Sequence, residues 1–399
     1  MKYDFETLVS RKNTGSGKWN SMYAANPDVP EGIVPFSVAD MEFKNAPQIA
    51  EGVSRYLKES VMGYTYATDA YYDAVIGWMK RRHQWDVKKE WIVEYPGVVP
   101  ALYHLVQLFT EPGEGVILFT PVYYPFYNAV RKGGRTLVES RLVRNGKHYE
   151  IDFEDFEEKA KNSKNKLCLL CSPHNPVGRV WTKEELERVG EICRKNGILV
   201  VSDEIHHDII MPEYVHTVYA MISEETAQNC IICTAPSKTF NMAGMMVSNL
   251  IVPNPELKKK VYEYWDSQAV FFCNMAGYKA CEIAYNECGD WLEELLTVLD
   301  QNRKLVEAFM SERFPQIDVI PLEGTYLQWL DLRKMELSCQ ELEKFMQEEA
   351  YFFTDEGYIF GEPGEGYERI NLACPTWVLK QALERMEQAW KKRQGKGIK

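Results

Sequence analysis

The chain lacks the features that mark membrane, secreted and nucleic-acid-binding proteins. No apolar run approaches the roughly 18 residues that cross a bilayer, and the polar start MKYDFETLVSRKN has no apolar core of a signal peptide. Basic clusters are missing, and 58 acidic against 46 basic side chains give a net charge of -12. Such a balance argues against binding to nucleic acid or to anionic membranes. We therefore expect a cytoplasmic protein without either partner.

A disulfide or metal framework is not evident either. Ten cysteines are present, but their spacing is irregular. The two CxxC pairs, Cys168/Cys171 and Cys230/Cys233, lie in β-like apolar runs, where residues three apart point to opposite faces. We interpret the cysteines as small buried hydrophobes. The segment DEIHHD at 203–208 is rich in ligand types, yet no second cluster with metal-site spacing accompanies it, so no metal site is predicted.

What the chain does contain is enough apolar sequence for a sizeable core. With 399 residues, 45% apolar and 26% charged, it can form two domains. Strand-like and helical segments alternate from about residue 90 to 252. One helix is clearly marked, because Thr182 caps it, Glu185 completes a capping box and Gly197 ends it. This alternation predicts an α/β fold with a mostly parallel sheet and helices on both faces.

The character of the sequence changes after Gly289. A long helical stretch, the short strand-like run TYLQWLDL and a last amphipathic helix follow one another. These elements predict a smaller α+β domain beside a large domain of residues 46–285.

Polar residues follow three of the predicted strands directly. Asn175 lies in a Pro-bounded turn after the run 167–171, Asp203 follows the run 198–202, and Lys238 lies in a Ser/Thr/Gly-rich turn between two further apolar runs. Ligands of open parallel sheets collect beyond the carboxyl ends of the strands, so these three groups can converge. A lysine in such a turn can carry pyridoxal phosphate, and a buried carboxylate can pair with the protonated pyridine nitrogen of that cofactor.

These residues stand in longer motifs that cover nearly the whole chain. The motifs include VPFSVADMEFKNAP, GYTY, WIVEYPGVVPAL, TPVYYPFYNAV, CSPHNPVGRVW, SDEIHHDIIMP, APSKTFNMAGM, EGTYLQWLD and DEGYIFGEPGEGYERINLACP. In them the chain resembles the fold-type I pyridoxal phosphate enzymes of aminotransferase class I/II, in particular the MalY/PatB-type, cystalysin-like cystathionine β-lyases. The resemblance implies that the N-terminal segment packs with the C-terminal part, so that residues 1–45 and 286–399 form one discontinuous small domain.

The same resemblance assigns the residues that hold the cofactor. Lys238 matches the lysine that carries pyridoxal phosphate and removes the Cα proton, and Asp203 matches the carboxylate that keeps the pyridine nitrogen protonated. Asn175 matches the hydrogen-bond donor to the phenolic oxygen, with His206 as a possible supporting group. Tyr123 matches the aromatic side chain that stacks on the pyridine ring.

Phosphate binding departs from the aminotransferase pattern. Relatives often carry Ser three residues before the lysine and Arg eight after it, where this chain has Ala235 and Met246. The phosphate must then depend on Ser237 and on the helix that begins after the Gly turn of YPGVVPAL. The free N–H groups of that helix predict Val98 and Val99 as ligands. By resemblance, Tyr64 reaches the phosphate from a neighbouring subunit, which implies a homodimer with shared active sites.

Substrate binding is expected at the other end of the cofactor. Arg369 matches the clamp for the α-carboxylate, since a guanidinium binds a carboxylate through two parallel hydrogen bonds. Asn175 is expected beside it. Tyr124 is predicted to reach the substrate side chain, and the backbone near Val38 and Ala39 is predicted to line the pocket.

The expected reaction is α,β-elimination from a sulfur amino acid such as cystathionine, cystine or cysteine, with pyruvate, ammonia and a thiol as products. An aminotransferase remains an alternative, because it shares the early steps. A regulatory role on a transcription activator is a further alternative that the resemblance implies. A metal-dependent hydrolase built on DEIHHD is the least favoured reading.

Overall fold

The computed structural model describes residues 1–270 and 272–396. Its α-helices are α1 (Gly17–Ala25), α2 (Pro47–Glu59), α3 (Asp69–His83), α4 (Val98–Phe109), α5 (Tyr124–Lys132), α6 (Phe153–Ala160), α7 (Lys183–Lys195), α8 (Glu224–Ala227), α9 (Pro236–Thr239), α10 (Pro255–Ser267), α11 (Met275–Glu287), α12 (Gly289–Arg313), α13 (Cys339–Lys344) and α14 (Thr376–Lys396). Its strands are β1 (Ile92–Tyr95), β2 (Gly115–Thr120), β3 (Thr136–Arg141), β4 (Val143–Asn145), β5 (His148–Glu150), β6 (Asn165–Cys171), β7 (Leu199–Asp203), β8 (Cys230–Thr234), β9 (Ser248–Ile251), β10 (Asp318–Val319), β11 (Leu327–Asp331), β12 (Asp355–Glu356) and β13 (Tyr367–Asn371).

A sheet of seven strands, in the order β1-β9-β8-β7-β6-β2-β3, forms the centre of the larger part of the molecule. The pairs β2–β3, β2–β6, β6–β7 and β7–β8 are parallel, whereas β9 runs antiparallel to both of its neighbours. Two clusters of buried apolar side chains contain residues from opposite faces of this sheet. The predicted α/β class, with a mostly parallel sheet, is therefore confirmed.

A second sheet lies in the C-terminal part of the chain. Its four antiparallel strands follow the order β10-β11-β13-β12, and α12 and α14 pack beside each other in the same part. The predicted sequence of a long helix, a short strand and a last helix is thus found. Where one domain ends and the other begins, at residues 46 and 285, remains a prediction.

Helix α7 shows how local sequence determines where the elements near the site begin and end. The Thr182 hydroxyl accepts the N–H of Glu185 while the Glu185 carboxylate accepts the N–H of Thr182, which is the predicted capping box. Leu186, Val189 and Cys193 are buried along one face, and Gly197 has the positive φ of +67° that lets the chain turn into β7. Because both ends of the helix are fixed, β7 begins at a defined position, and so does its last residue, Asp203.

The cysteines behave as small apolar residues. All ten are free thiols, and nine of them are buried. Cys168 and Cys230 pack in one apolar cluster, whereas Cys171 and Cys233 pack in the other. Each CxxC pair is thus divided between the two faces of the sheet, as predicted. No helix in the described part of the chain is long and apolar enough to cross a membrane.

Candidate active site

The carboxyl ends of neighbouring strands bring the predicted residues together. Strands β1, β2, β6, β7 and β8 lead directly into segments that line one cavity of about 290 Å³. The residues on its wall include Val98, Val99, Tyr123, Asn175, Asp203, His206, Ser237 and Lys238, together with Ala39 from the N-terminal segment. A larger cavity of about 750 Å³ lies around Arg11, Asp40 and Glu42, but none of the strand-end residues lines it. We therefore place the candidate site in the smaller cavity.

Lys238 lies on the wall of this cavity, on the short helix α9, and is partly buried. Its Nζ donates a hydrogen bond to the carbonyl oxygen of Ala39 at 2.6 Å, and the Tyr326 hydroxyl donates to the same oxygen at 2.8 Å. Burial lowers the pKa of Lys238 to about 8, although the charge of nearby Asp40 acts in the opposite direction. A lysine with such a pKa has a larger fraction of free amine near neutral pH than an ordinary lysine, as a nucleophile or a general base requires.

Asp203 ends β7 and is almost completely buried. One of its carboxylate oxygens accepts the backbone N–H of Ile205 at 3.1 Å. Burial raises the pKa of Asp203 to about 7, because the charged form loses its hydration. No ion pair to Asp203 occurs within residues 1–270 and 272–396. A cationic group placed in the cavity would satisfy this carboxylate.

His206 lies on the same turn as Asp203 and also faces the cavity. Burial, assisted by the positive charges of Lys238 and Arg369, holds the pKa of His206 well below its usual value. The imidazole is therefore neutral. Among the described residues its buried Nδ1 has no hydrogen-bond partner.

Arg369 joins the two parts of the molecule beside the cavity, where it contacts the wall residue Asn175 without lying on the wall itself. It lies on β13, is 2% exposed, and donates from one terminal nitrogen to the Asn175 side-chain oxygen at 2.9 Å. Its other terminal nitrogen forms an ion pair with Asp355, whose carboxylate also accepts the N–H of Val38 at 3.0 Å. Both terminal nitrogens thus already have partners within the chain, and binding of a substrate carboxylate by Arg369 remains a prediction.

The N-terminus of α4 forms the anion-binding side of the cavity. Gly97 precedes the helix with φ +116°, a conformation that a side chain would strain. The first N–H groups of a helix have no partner within it, so those of Val98 and Val99 are available to a ligand. Ala235 is buried and Met246 is half exposed beside the cavity. Among the described wall residues Lys238 is the sole cation, so an anion here is bound mainly by neutral donors.

The aromatic residues occupy a third side. Tyr123 precedes α5, and its N–H donates to the Asn175 carbonyl oxygen at 3.0 Å. The rings of Tyr123 and Tyr124 lie 5.0 Å apart. Tyr123 is on the cavity wall, whereas Tyr124 is 40% exposed at its edge. Burial raises the pKa of Tyr123 above its usual value, which keeps the phenol neutral.

Four of the predicted residues are not on the cavity wall: Arg369, Tyr124, Tyr64 and Val38. Tyr64 is 89% exposed and packs edge-on against Phe272 at 5.8 Å. Val38 is partly exposed with φ +44°, and its backbone contacts Asp355 and Asn371 while the neighbouring Ala39 lines the cavity. The roles predicted for Tyr64 and Val38 remain predictions.

Sequence reasoning missed Asp355 and Tyr326. Asp355 pairs with Arg369 through the register of β12 and β13, in which their Cα atoms are partners. Tyr326 stands in the recognised run EGTYLQWLD, so its motif position was a usable signal. Asp355 begins the recognised run DEGYIFGEPGEGYERINLACP, but its pairing with Arg369 depends on the register of the two strands.

The chain is similar to known proteins over nearly its whole length. Residues 31–386 match the family model described as aminotransferase class I and II. Cystathionine beta-lyase PatB of Bacillus subtilis is 37% identical over 389 residues, covering 97% of this chain and 99% of the relative. Protein MalY of Escherichia coli is 29% identical over 383 residues, covering 96% and 97% of the two chains. The crystal structure of cystalysin from Treponema denticola, which contains a pyridoxal 5'-phosphate cofactor, has a TM-score of 0.97 and 49% identity, covering 98% of this chain and 100% of that one.

Proposed function

Because this chain belongs to the aminotransferase class I and II family, we propose that it is a pyridoxal phosphate-dependent carbon–sulfur lyase acting on sulfur-containing amino acids. The observation that carries the proposal is the position of the Lys238 amine on the wall of one cavity with Asp203 and Asn175. Cystathionine beta-lyase PatB and cystalysin, which align over nearly the whole chain, support the choice of reaction.

The residues of the cavity fit pyridoxal phosphate. Lys238 supplies an amine for covalent attachment, and Asp203 is a buried carboxylate without an ion-pair partner among the described residues. Val98 and Val99 offer helix N–H groups to the phosphate, with Ser237 nearby. Tyr123 would pack against the ring. Each chemical group of the cofactor thus has a matching partner on the cavity wall.

When bound, pyridoxal phosphate supplies a conjugated ring that delocalises the negative charge left at Cα after loss of a proton. Asp203 keeps a proton on the ring nitrogen, which increases the capacity of the ring to accept that charge. Arg369 and Asn175 bind the substrate carboxylate and fix the orientation of Cα. The Lys238 amine, released from covalent attachment when the substrate amine takes its place, would remove the Cα proton, and the electron pair of the broken C–H bond would expel the sulfur group from Cβ as a thiolate. Overall, one water is consumed, and pyruvate, ammonia and a thiol are released.

Elimination and amino-group transfer are separated by their products. We expect purified protein incubated with L-cystathionine to release pyruvate and thiol in equal amounts, measured by a lactate dehydrogenase-coupled assay and by thiol titration. A parallel incubation with a 2-keto acid measures any newly formed amino acid. Formation of that amino acid without pyruvate or thiol would assign the chain to the aminotransferases and refute the lyase proposal.

We also propose that the active enzyme is a homodimer with shared sites. Val61, Met62, Tyr64 and Tyr66 are exposed on one short segment, and Tyr64 and Tyr66 surround Phe272. A contiguous exposed apolar patch of this kind favours coverage by another protein surface. A second copy that covers the patch would also bring Tyr64 towards the phosphate side of its partner's cavity.

Shared sites have a direct consequence for mixed dimers. Tyr64→Ala and Lys238→Ala variants are each expected to be nearly inactive alone. When they are co-expressed, random pairing makes half of the dimers mixed, and each mixed dimer has one intact site, so about a quarter of wild-type activity should return. Co-expressed variants that stay as inactive as the separate ones would contradict shared sites, and a sedimentation mass of one chain would contradict the dimer.

A cytoplasmic location is proposed from the thiols. Ten free cysteines, none of them paired, are typical of a protein kept in a reducing compartment. Cell fractionation that finds the protein outside the cytoplasm would contradict this location.

A further inference from the structure

A compact group of histidines and carboxylates lies outside the active-site cavity and has no part in the reaction described above. His83 ends α3, and His207 and Asp208 lie on the turn after β7. The ligand atoms of these three side chains lie within 4.8 Å of one another. His83 Nε2 lies 2.8 Å from Asp208 Oδ1, although the two residues are 125 positions apart in the chain. This distance in sequence explains why DEIHHD seemed to lack a second group of ligands.

His207 is the residue that ordinary packing explains least. Its side chain is fully buried, and neither of its ring nitrogens has a hydrogen-bond partner among the described residues. Nε2 does lie 3.3 Å from Asp208 Oδ2, but without the geometry of a hydrogen bond. Burying an imidazole without a partner for either nitrogen is unfavourable. A metal ion bonded to one nitrogen would remove much of that cost.

The surroundings resemble the outer shell of a metal site. Asp208 is oriented by the Thr239 hydroxyl, which donates at 2.7 Å, and by the Trp78 indole N–H, which donates to both oxygens at 3.2 Å. Such hydrogen bonds commonly hold ligating carboxylates in place. Asp208 and the nearby Glu204 are both fully buried, and their imidazole partners His83, His207 and His216 supply a compensating positive charge only when protonated. A divalent cation supplies that charge.

The group lies against a further cavity. This cavity, of about 460 Å³, borders His83, His207, Asp208 and His216, so an ion in it is separated from the ligands only by a small movement of side chains. His216 is held by Glu204, with Nε2 2.9 Å from the carboxylate oxygen. Glu204, His207 and His216 form a second trio with ligand atoms within 4.8 Å of one another. His207 therefore belongs to both possible ligand sets.

We propose that His83, His207 and Asp208 bind a divalent transition metal ion, with zinc as the best match. Two imidazole nitrogens and one carboxylate oxygen, with a fourth position open to a cavity, suit tetrahedral zinc. The ion would connect the end of α3 to the turn that follows Asp203, and Thr239 would connect it to the segment of Lys238. Its role is to brace these segments, and it does not take part in the reaction.

The test is the metal content of the untagged holoenzyme, measured by mass spectrometry of the elements. We expect about one zinc per chain, lost in His83→Gln and His207→Gln and kept in His148→Gln, whose exposed side chain lies elsewhere. Cys339→Ser controls for the one thiol that is not buried, and should also keep the zinc. Chelation should lower the melting temperature of the wild type and leave that of His83→Gln unchanged.

Four results would overturn the proposal. One is wild-type protein that contains no zinc and binds none when zinc chloride is added after chelation, a result that does not depend on any variant folding. The second and third are zinc binding that is unchanged in His83→Gln or in His207→Gln. The fourth is loss of zinc binding in His216→Gln while His83→Gln still binds zinc. Replacing zinc with cobalt, whose d–d bands differ between tetrahedral nitrogen/oxygen and thiolate sites, gives an independent readout of the ligands.

Discussion

Replacing Lys238 with alanine is expected to lower the rate of pyruvate formation about a thousandfold or more. The substitution removes the amine that attaches the cofactor and the base that takes the Cα proton, and general-base catalysis alone contributes about 10² to 10⁴ in rate. Steady-state assays of pyruvate release from L-cystathionine measure the effect. If added methylamine partly restores the rate, the loss is due to the missing general base.

A matched control is available in Lys258. Its ammonium is partly buried and donates to the carbonyl oxygen of Glu90, outside the active-site cavity. A Lys258→Ala variant should therefore keep nearly the wild-type rate. A Lys238→Ala protein that retains its fold and works within tenfold of the wild type would show that another group is the base.

Arg369→Lys is expected to lower kcat/KM for the amino acid substrate by about 10- to 100-fold, mostly through KM. Lysine keeps the charge but loses one of two parallel hydrogen bonds to the carboxylate, and a charge-assisted bond is worth about 1.5–3 kcal/mol. The fold-change follows because about 1.4 kcal/mol corresponds to a factor of ten. The effect is measured by varying the concentration of L-cystathionine.

Two further variants separate substrate binding from structure. Arg333→Lys changes an arginine that is ion-paired with Asp331 and half exposed, and should leave KM unchanged. The absorption of bound cofactor in Arg369→Lys should match that of the wild type, because the substitution keeps the cofactor side of the cavity. An unchanged KM in Arg369→Lys would remove Arg369 from the carboxylate site.

Much of the candidate site could be predicted because its residues follow strands directly. Asn175, Asp203 and Lys238 come after β6, β7 and β8, which are adjacent and parallel in the sheet. Since the carboxyl ends of parallel strands meet at one edge, local sequence was sufficient to bring these groups together. The family relation inferred from the motifs is confirmed by the family model and by the relatives.

Contacts that depend on distant pairing could not be predicted in this way. The Asp355–Arg369 ion pair requires the register of two short antiparallel strands, and the His83–Asp208 contact requires the packing of α3 against the turn after β7. Hydrophobic periodicity specifies which face of an element is buried, and it does not identify the residue it meets. The contact predicted for Tyr64 also depends on distant packing, because its predicted partner is another chain, and in the single chain Tyr64 is exposed.

The most direct test of the central claim is to locate the cofactor. The purified protein is reduced with borohydride, digested and mapped by mass spectrometry. We predict a yellow protein whose visible band disappears on reduction, with the pyridoxyl group attached to Lys238 in the peptide that contains APSKTF. A colourless protein that cannot be reconstituted with pyridoxal phosphate, or a label on a different lysine, would contradict the account.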